Sequence, residues 1–239
     1  MKKKPWLLAG AALLAAAALG IGIYAGDGYP AGEEAAAALV SDENVAAMAE
    51  NGRMIFAPAE IEAGFIFYPG GKVEYTAYAP LMRELAQEGV LCIVPEMPLD
   101  LAVLDMDAAA DIPRDPEVER WYIGGHSLGG AMAASYAAKH PEDFAGLVLL
   151  AAYSTEDLTE SDLSVLSLYG SADGVLDLEK YKKYRPNLPE TAVEAVLEGG
   201  CHACFGSYGP QKGDGQHALS PQEQTQLTVA YILEMIRAE

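Results

Sequence analysis

Three short stretches carry side chains that could do chemistry together. "GHSLG", Gly125 to Gly129, holds a serine with a glycine two residues to either side. "LYGSADGV" contains Asp173, and "EGGCHACFG" sets His202 between Cys201 and Cys204. A serine hydroxyl is a poor nucleophile until a base takes its proton. A histidine serves as that base when a carboxylate fixes its tautomer and stabilises the imidazolium. Ser127, His202 and Asp173 fit these three roles, and the chemistry they would support is attack on an acyl carbon. A bare G-x-S-x-G is common by chance, so its meaning depends on a strand before it and a helix after it.

The other candidates fit less well. His126 precedes the serine, where its ring cannot turn back to the hydroxyl, and reads as a packing or hydrogen-bonding residue. His140 stands before Pro141 and suits a helix C-terminus. His217 lies in the polar loop "KGDGQHALS" with no assigned partner. Asp157 is the rival to Asp173, but Asp173 follows a strand directly. Cys201 and Cys204 could instead make a redox pair, although the glycines before them do not promise the helix start that a thioredoxin-like motif uses. A structural zinc would need a fourth ligand beyond His202 and the two cysteines, with only His217 near in sequence. Cys92, in "GVLCIVP", reads as a small buried hydrophobe.

The elements around these residues give them their setting. "VAAMAENGRMIFAP" predicts two short strands about an Asn51-Gly52 type I′ turn. "AGFIFYPGG", "VLCIVP", "WYIGG", "AGLVLLAAY", "LSVLSLYGS" and "AVEAVLEGG" read as further strands. Helices are expected in "YAPLMRELAQEG", "LAVLDMDAAADIP", "AMAASYAAKHP" and "LDLEKYKKY", and in the closing "SPQEQTQLTVAYILEMIRAE". That last helix has Ser220 as N-cap, Pro221 at its first position and Glu223 at the capping-box position. Strands apolar throughout that alternate with helices indicate a parallel sheet covered on both faces, with the leading hairpin antiparallel at one edge. Ligands on such sheets bind at the carboxyl ends of the strands, where Ser127, Asp173 and His202 all fall. Acyl transfer also needs donors for the oxyanion. The Leu128 N–H, just past the serine, is one. The loop after "GFIFYPGG" should supply the other, with the Gly71 N–H preferred and Lys72 second.

These segments, with "YPGGKVEYTAYAPL", "MPLDLAVLD", "IGGHSLGGAMAASYA", "LYGSADGV" and "EGGCHACFGSYGPQKGDG" as the most telling, resemble the alpha/beta-hydrolase superfamily over residues 44–239. More narrowly the chain is similar to small bacterial dienelactone-hydrolase-like members. The resemblance implies an α/β fold of that type, the order Ser127, Asp173, His202, and no metal or organic cofactor. Dienelactone hydrolases proper use a cysteine nucleophile, so that activity is not implied here. The superfamily often inserts a lid after the strand matching "AGLVLLAAY". Only residues 154–162 stand there, so the site is expected to be largely uncapped. A polar residue such as Asn is expected where Cys201 stands.

Bulk composition bounds the partners. The 239 residues carry 15 basic and 35 acidic side chains, a net charge of -20, which argues against nucleic-acid binding. Residues 1–25 open on Lys2, Lys3 and Lys4, and no other charge follows until Asp27. The run Trp6–Ala25 is long enough to span a bilayer, although 11 of its 20 residues are Ala or Gly. It reads as a signal anchor, or a signal peptide cleaved near Ala25. Residues 26–43 then form a linker, and 44–239 a hydrolase domain outside the cytoplasm. The expected protein is a monomeric, exported and membrane-tethered serine hydrolase acting on a small ester or thioester through an acyl-enzyme. The alternatives are an inactive binding protein on the same fold and a thiol-redox protein using Cys201 and Cys204.

Overall fold

In the computed structural model, which describes residues 28–238, eight strands form one sheet. They are β1 (Val45–Glu50), β2 (Arg53–Pro58), β3 (Ala63–Tyr68), β4 (Val90–Pro95), β5 (Trp121–His126), β6 (Gly146–Leu150), β7 (Ser164–Gly170) and β8 (Val193–Leu197). Their order is β1-β2-β4-β3-β5-β6-β7-β8. The β1/β2 and β2/β4 pairs are antiparallel, and every pair from β4 to β8 is parallel. The hairpin signal is borne out: Asn51 and Gly52 both take positive φ, 52° and 71°, as a type I′ turn requires.

The central strands β3, β4, β5 and β6 are buried along their whole length, which is why they read as unbroken apolar runs. Successive side chains face opposite layers. Phe65 and Phe67 join a core with helices α1 (Glu33–Ala38), α2 (Ala79–Gln87) and α5 (Pro221–Arg237), while Ile66 and Tyr68 join the core under α3 (Leu128–Lys139). Helix α4 (Leu178–Tyr184) lies between β7 and β8 in sequence. Helix α2 stops where Gly89 takes φ 93°. Helix α5 starts with the expected capping box between Ser220 and Glu223.

One expected helix is absent. "LAVLDMDAAADIP" forms separate single turns at Ala102–Leu104 and Ala108–Asp111, after another at Pro98–Asp100. The reason lies in β3. The Tyr68 hydroxyl donates to the Met106 carbonyl (2.9 Å) and accepts from the Ala109 N–H (2.8 Å), taking up backbone groups that a helix would pair with itself. The described part of 26–43 packs on the domain: Ala35 is fully buried, and Tyr29 bridges to Val73. Among the described residues no helix is long and apolar enough to cross a membrane. The run Trp6–Ala25 lies outside them.

Candidate active site

Backbone strain gathers at one edge of the sheet. Among the described residues six non-glycines have positive φ, and five of them (Lys72, Leu99, Asp100, Ser127 and Ala151) sit in loops leaving the carboxyl ends of β3, β4, β5 and β6. Each such residue costs about 1–3 kcal/mol and persists only where its surroundings hold it. Ser127 has φ 54° and ψ −120° between β5 and α3. Its glycine neighbours explain how the chain turns so sharply. A Cβ on Gly125 would stand 2.6 Å from the Tyr68 carbonyl oxygen, and one on Gly129 would collide with the carbonyl oxygens of Tyr68 and Pro69. Strand, turn and helix backbones therefore touch, and Ser127 is held at the head of α3.

The loop after β8 brings His202 to the same edge and the loop after β7 brings Asp173. His202 Nδ1 lies 2.8 Å from Asp173 Oδ2, and both side chains are 1% exposed. The other Asp173 oxygen, Oδ1, accepts from the Val175 and Leu176 N–H groups, both at 2.8 Å. With every Asp173 contact a donor, the imidazole proton sits on Nδ1 and Nε2 is left as the ring's free base. Nε2 is buried and has no hydrogen-bond partner among the described residues. His202 and Ser127 line one pocket of about 200 Å³, whose walls include Leu128, Tyr153, Val175 and Leu176. A serine and a histidine at one small pocket, with a carboxylate orienting the ring through Nδ1, can carry out nucleophilic acyl transfer.

The two residues expected to supply oxyanion amides are neighbours: a Cβ on Gly71 would come 3.1 Å from Leu128 Cδ2, so the glycine turn packs against the Leu128 side chain. Neither N–H has a hydrogen-bond partner among the described residues. The Lys72 N–H donates to the Asp100 carbonyl at 2.8 Å and is taken up there, which leaves Gly71 as the available donor. Gly70, one step earlier, donates its N–H to Tyr78 Oη (2.9 Å), and that hydroxyl donates onward to His126 Nδ1 (2.8 Å). His126 is thus a buried packing residue, its ring centroid 4.5 Å from that of His202. Burial, and then the neighbouring His202, hold it well below the ordinary histidine range, so it stays neutral.

The remaining candidates stand apart. Asp157 is exposed and accepts from Thr159. His217 is exposed, with Nδ1 on the Leu219 carbonyl, and His140 packs against Tyr136 as a tilted ring pair. Cys92 is buried in β4. Among the described residues no group of three or more His, Cys, Asp or Glu could hold a metal ion.

Two positioning residues carried no sequence signal. Tyr78 orients the glycine turn through Gly70. Asp214 joins the acid and base loops: its Oδ1 accepts from His202 N (3.2 Å) and Gly174 N (3.1 Å), and Oδ2 from Ala203 N (2.8 Å). Burial pushes the Asp214 carboxyl up, but these amides and that of Gly215 outweigh it and keep it below its ordinary value.

The sequence model of the alpha/beta hydrolase family matches residues 64–226. The structure is similar to the crystal structure of a predicted CIB-like hydrolase from Thermoplasma acidophilum, with a TM-score of 0.60 and 16% identity over 79% of this chain and 99% of that one. It is one of 740 matching chains, so the likeness identifies a widely used fold and no substrate. No curated protein matches the sequence.

Proposed function

The chain belongs to the alpha/beta hydrolase family, and from that premise we propose that it is a serine hydrolase cleaving small esters or thioesters through an acyl-enzyme. Ser127 attacks the acyl carbon while His202 Nε2 takes its proton. Asp173 holds Nδ1–H and stabilises the imidazolium. The Leu128 and Gly71 amides receive the oxyanion as the tetrahedral intermediate forms. His202 then returns the proton to the leaving group, and water, activated by the same nitrogen, releases the acid. The observation that carries this reading is the buried His202–Asp173 pair at 2.8 Å, with Nε2 unpartnered at a pocket that Ser127 also lines.

The pocket favours a small acyl group. Its volume of about 200 Å³ falls below the roughly 300–1,000 Å³ of drug-sized ligand sites. In the loop after β4, Leu99, Val103 and Leu104 are about half exposed, and a Cβ on Gly71 would meet Leu101 Cδ2 at 3.8 Å. A small pocket walled by Leu128, Val175 and Leu176 suits a short acyl group. A series of p-nitrophenyl esters of graded chain length tests this. The expected kcat/KM is highest for the short acyl chains and falls for long ones. No hydrolysis across the series would count against the reading.

The proposal extends to location. Three lysines before an uncharged apolar run support a domain held outside the cytoplasmic membrane, or released if the run is cleaved. Protease added to intact cells is expected to digest the domain of the tethered form. A domain that stays protected until the membrane is lysed would reverse the orientation.

A further inference from the structure

Behind His202 lies a second chemical feature that acyl transfer does not use. The residues after Gly200 enter a short helical turn at Ala203–Phe205, with the Phe205 N–H on the His202 carbonyl and the Gly206 N–H on that of Ala203. As the glycines of "EGG" suggest, no long helix starts here, and the chain makes only this three-residue turn. Gly199, at φ 78°, reverses the chain so that the turn can begin. The turn places Cys201 and Cys204 with their sulfurs 2.9 Å apart, both thiols free. A disulfide holds its sulfurs about 2.05 Å apart, so the pair stands within an ångström of closing.

The placement is held from several sides. Gln224 accepts from the Cys201 N–H (2.9 Å) and donates to its carbonyl (2.8 Å), and Asp214 accepts from the Ala203 N–H. Both cysteines, with Gln211, Gln216 and His217, line a hollow of about 630 Å³ on the far side of the histidine loop. The Cys201 thiol donates to the Cys204 sulfur. That bond lowers the Cys204 thiol below its ordinary range, with His217 adding to the effect, and raises Cys201. All three cysteines are buried, but Cys92 lies within β4 without a second sulfur beside it, and burial pushes its thiol up.

We propose that Cys201 and Cys204 form a thiol–disulfide exchange site that accepts small organic disulfides from this hollow. The Cys204 thiolate attacks one sulfur of RS–SR, forming a mixed disulfide and expelling RS⁻. Cys201, losing its proton to solvent, then attacks the Cys204 sulfur and expels the second RS⁻. The protein loses two electrons and two protons, the reagent becomes two thiols, and the resulting ring encloses His202. The site stands independently of the hydrolase reading, because exchange is read by mass and not by turnover.

The test incubates the reduced full chain with 2-hydroxyethyl disulfide and maps it by mass spectrometry. The expected product has lost two hydrogens, carries a Cys201–Cys204 link and keeps Cys92 as a free thiol. Cys201→Ser should stop at a mixed disulfide on Cys204. Both thiols remaining as unreactive as Cys92 in the wild-type chain would overturn the proposal, and that result needs no substituted protein. Capture of the mixed disulfide on Cys201 of Cys204→Ser, with none on Cys204 of Cys201→Ser, would overturn the assigned order.

Discussion

Ser127→Ala is expected to lower kcat for ester hydrolysis by roughly 10⁴–10⁶-fold while leaving the protein folded. The size follows from the absence of any other nucleophile in the pocket. Among the described residues the only hydroxyls or thiols on its walls are those of Ser127 and Tyr153, and of the two only Ser127 stands at the sharp turn where the head of α3 begins. The fold should survive because the Ser127 side chain makes no hydrogen bond among the described residues, and the strain at φ 54° belongs to the backbone and is shared by alanine. A stability change within about 0.5–1 kcal/mol is therefore expected by urea denaturation. Steady-state kinetics on the same preparation separates lost chemistry from lost structure. Turnover within tenfold of the parent would remove Ser127 from the mechanism.

Asp173→Asn should cost about 10⁴-fold in kcat with little change in KM. The two backbone amides of Val175 and Leu176 point at one side of this residue, and they bind only an oxygen. An asparagine would keep its carbonyl there and turn its NH₂ toward His202 Nδ1. Nδ1 would then have to accept, the ring proton would move to Nε2, and that nitrogen would no longer be a base. The effect is on the tautomer, so the asparagine variant should still bind substrate. It should be nearly as impaired as the serine variant although every heavy atom keeps its place. Full activity in Asp173→Asn would show that the carboxylate does not set the ring.

Much of this site was legible because the sheet is. Runs such as "GFIFY", "VLCIV" and "YIGG" are apolar throughout, as only strands covered on both faces are, and chemistry on a parallel sheet gathers where such strands end. That places Ser127, Asp173 and His202 at one edge before any coordinates are seen. The glycines at 125 and 129 carried the further information that backbones must touch there. The loop after β4 was misread for a physical reason: Leu101, Leu104 and Ala108 have helical spacing, and nothing local shows that Tyr68, about 40 residues earlier, would claim the backbone groups a helix needs. Tyr78 and Asp214 were invisible for a related reason. Each acts on backbone N–H groups, which every residue offers, so no spacing of side-chain types marks them. The turn that pairs Cys201 with Cys204 is only three residues long, too short to leave a helical period in the sequence.

The central claim is that Ser127 is a nucleophile activated by His202, and covalent capture tests it most directly. A fluorophosphonate reacts with a serine only where a base removes its proton and amides hold the resulting oxyanion. After incubation with the full chain, tryptic mass spectrometry is predicted to find one phosphonyl group on Ser127, formed rapidly in the parent, slowly in Asp173→Asn and not at all in Ser127→Ala. An unlabelled parent chain, or a label on another residue that persists in Ser127→Ala, would contradict the account.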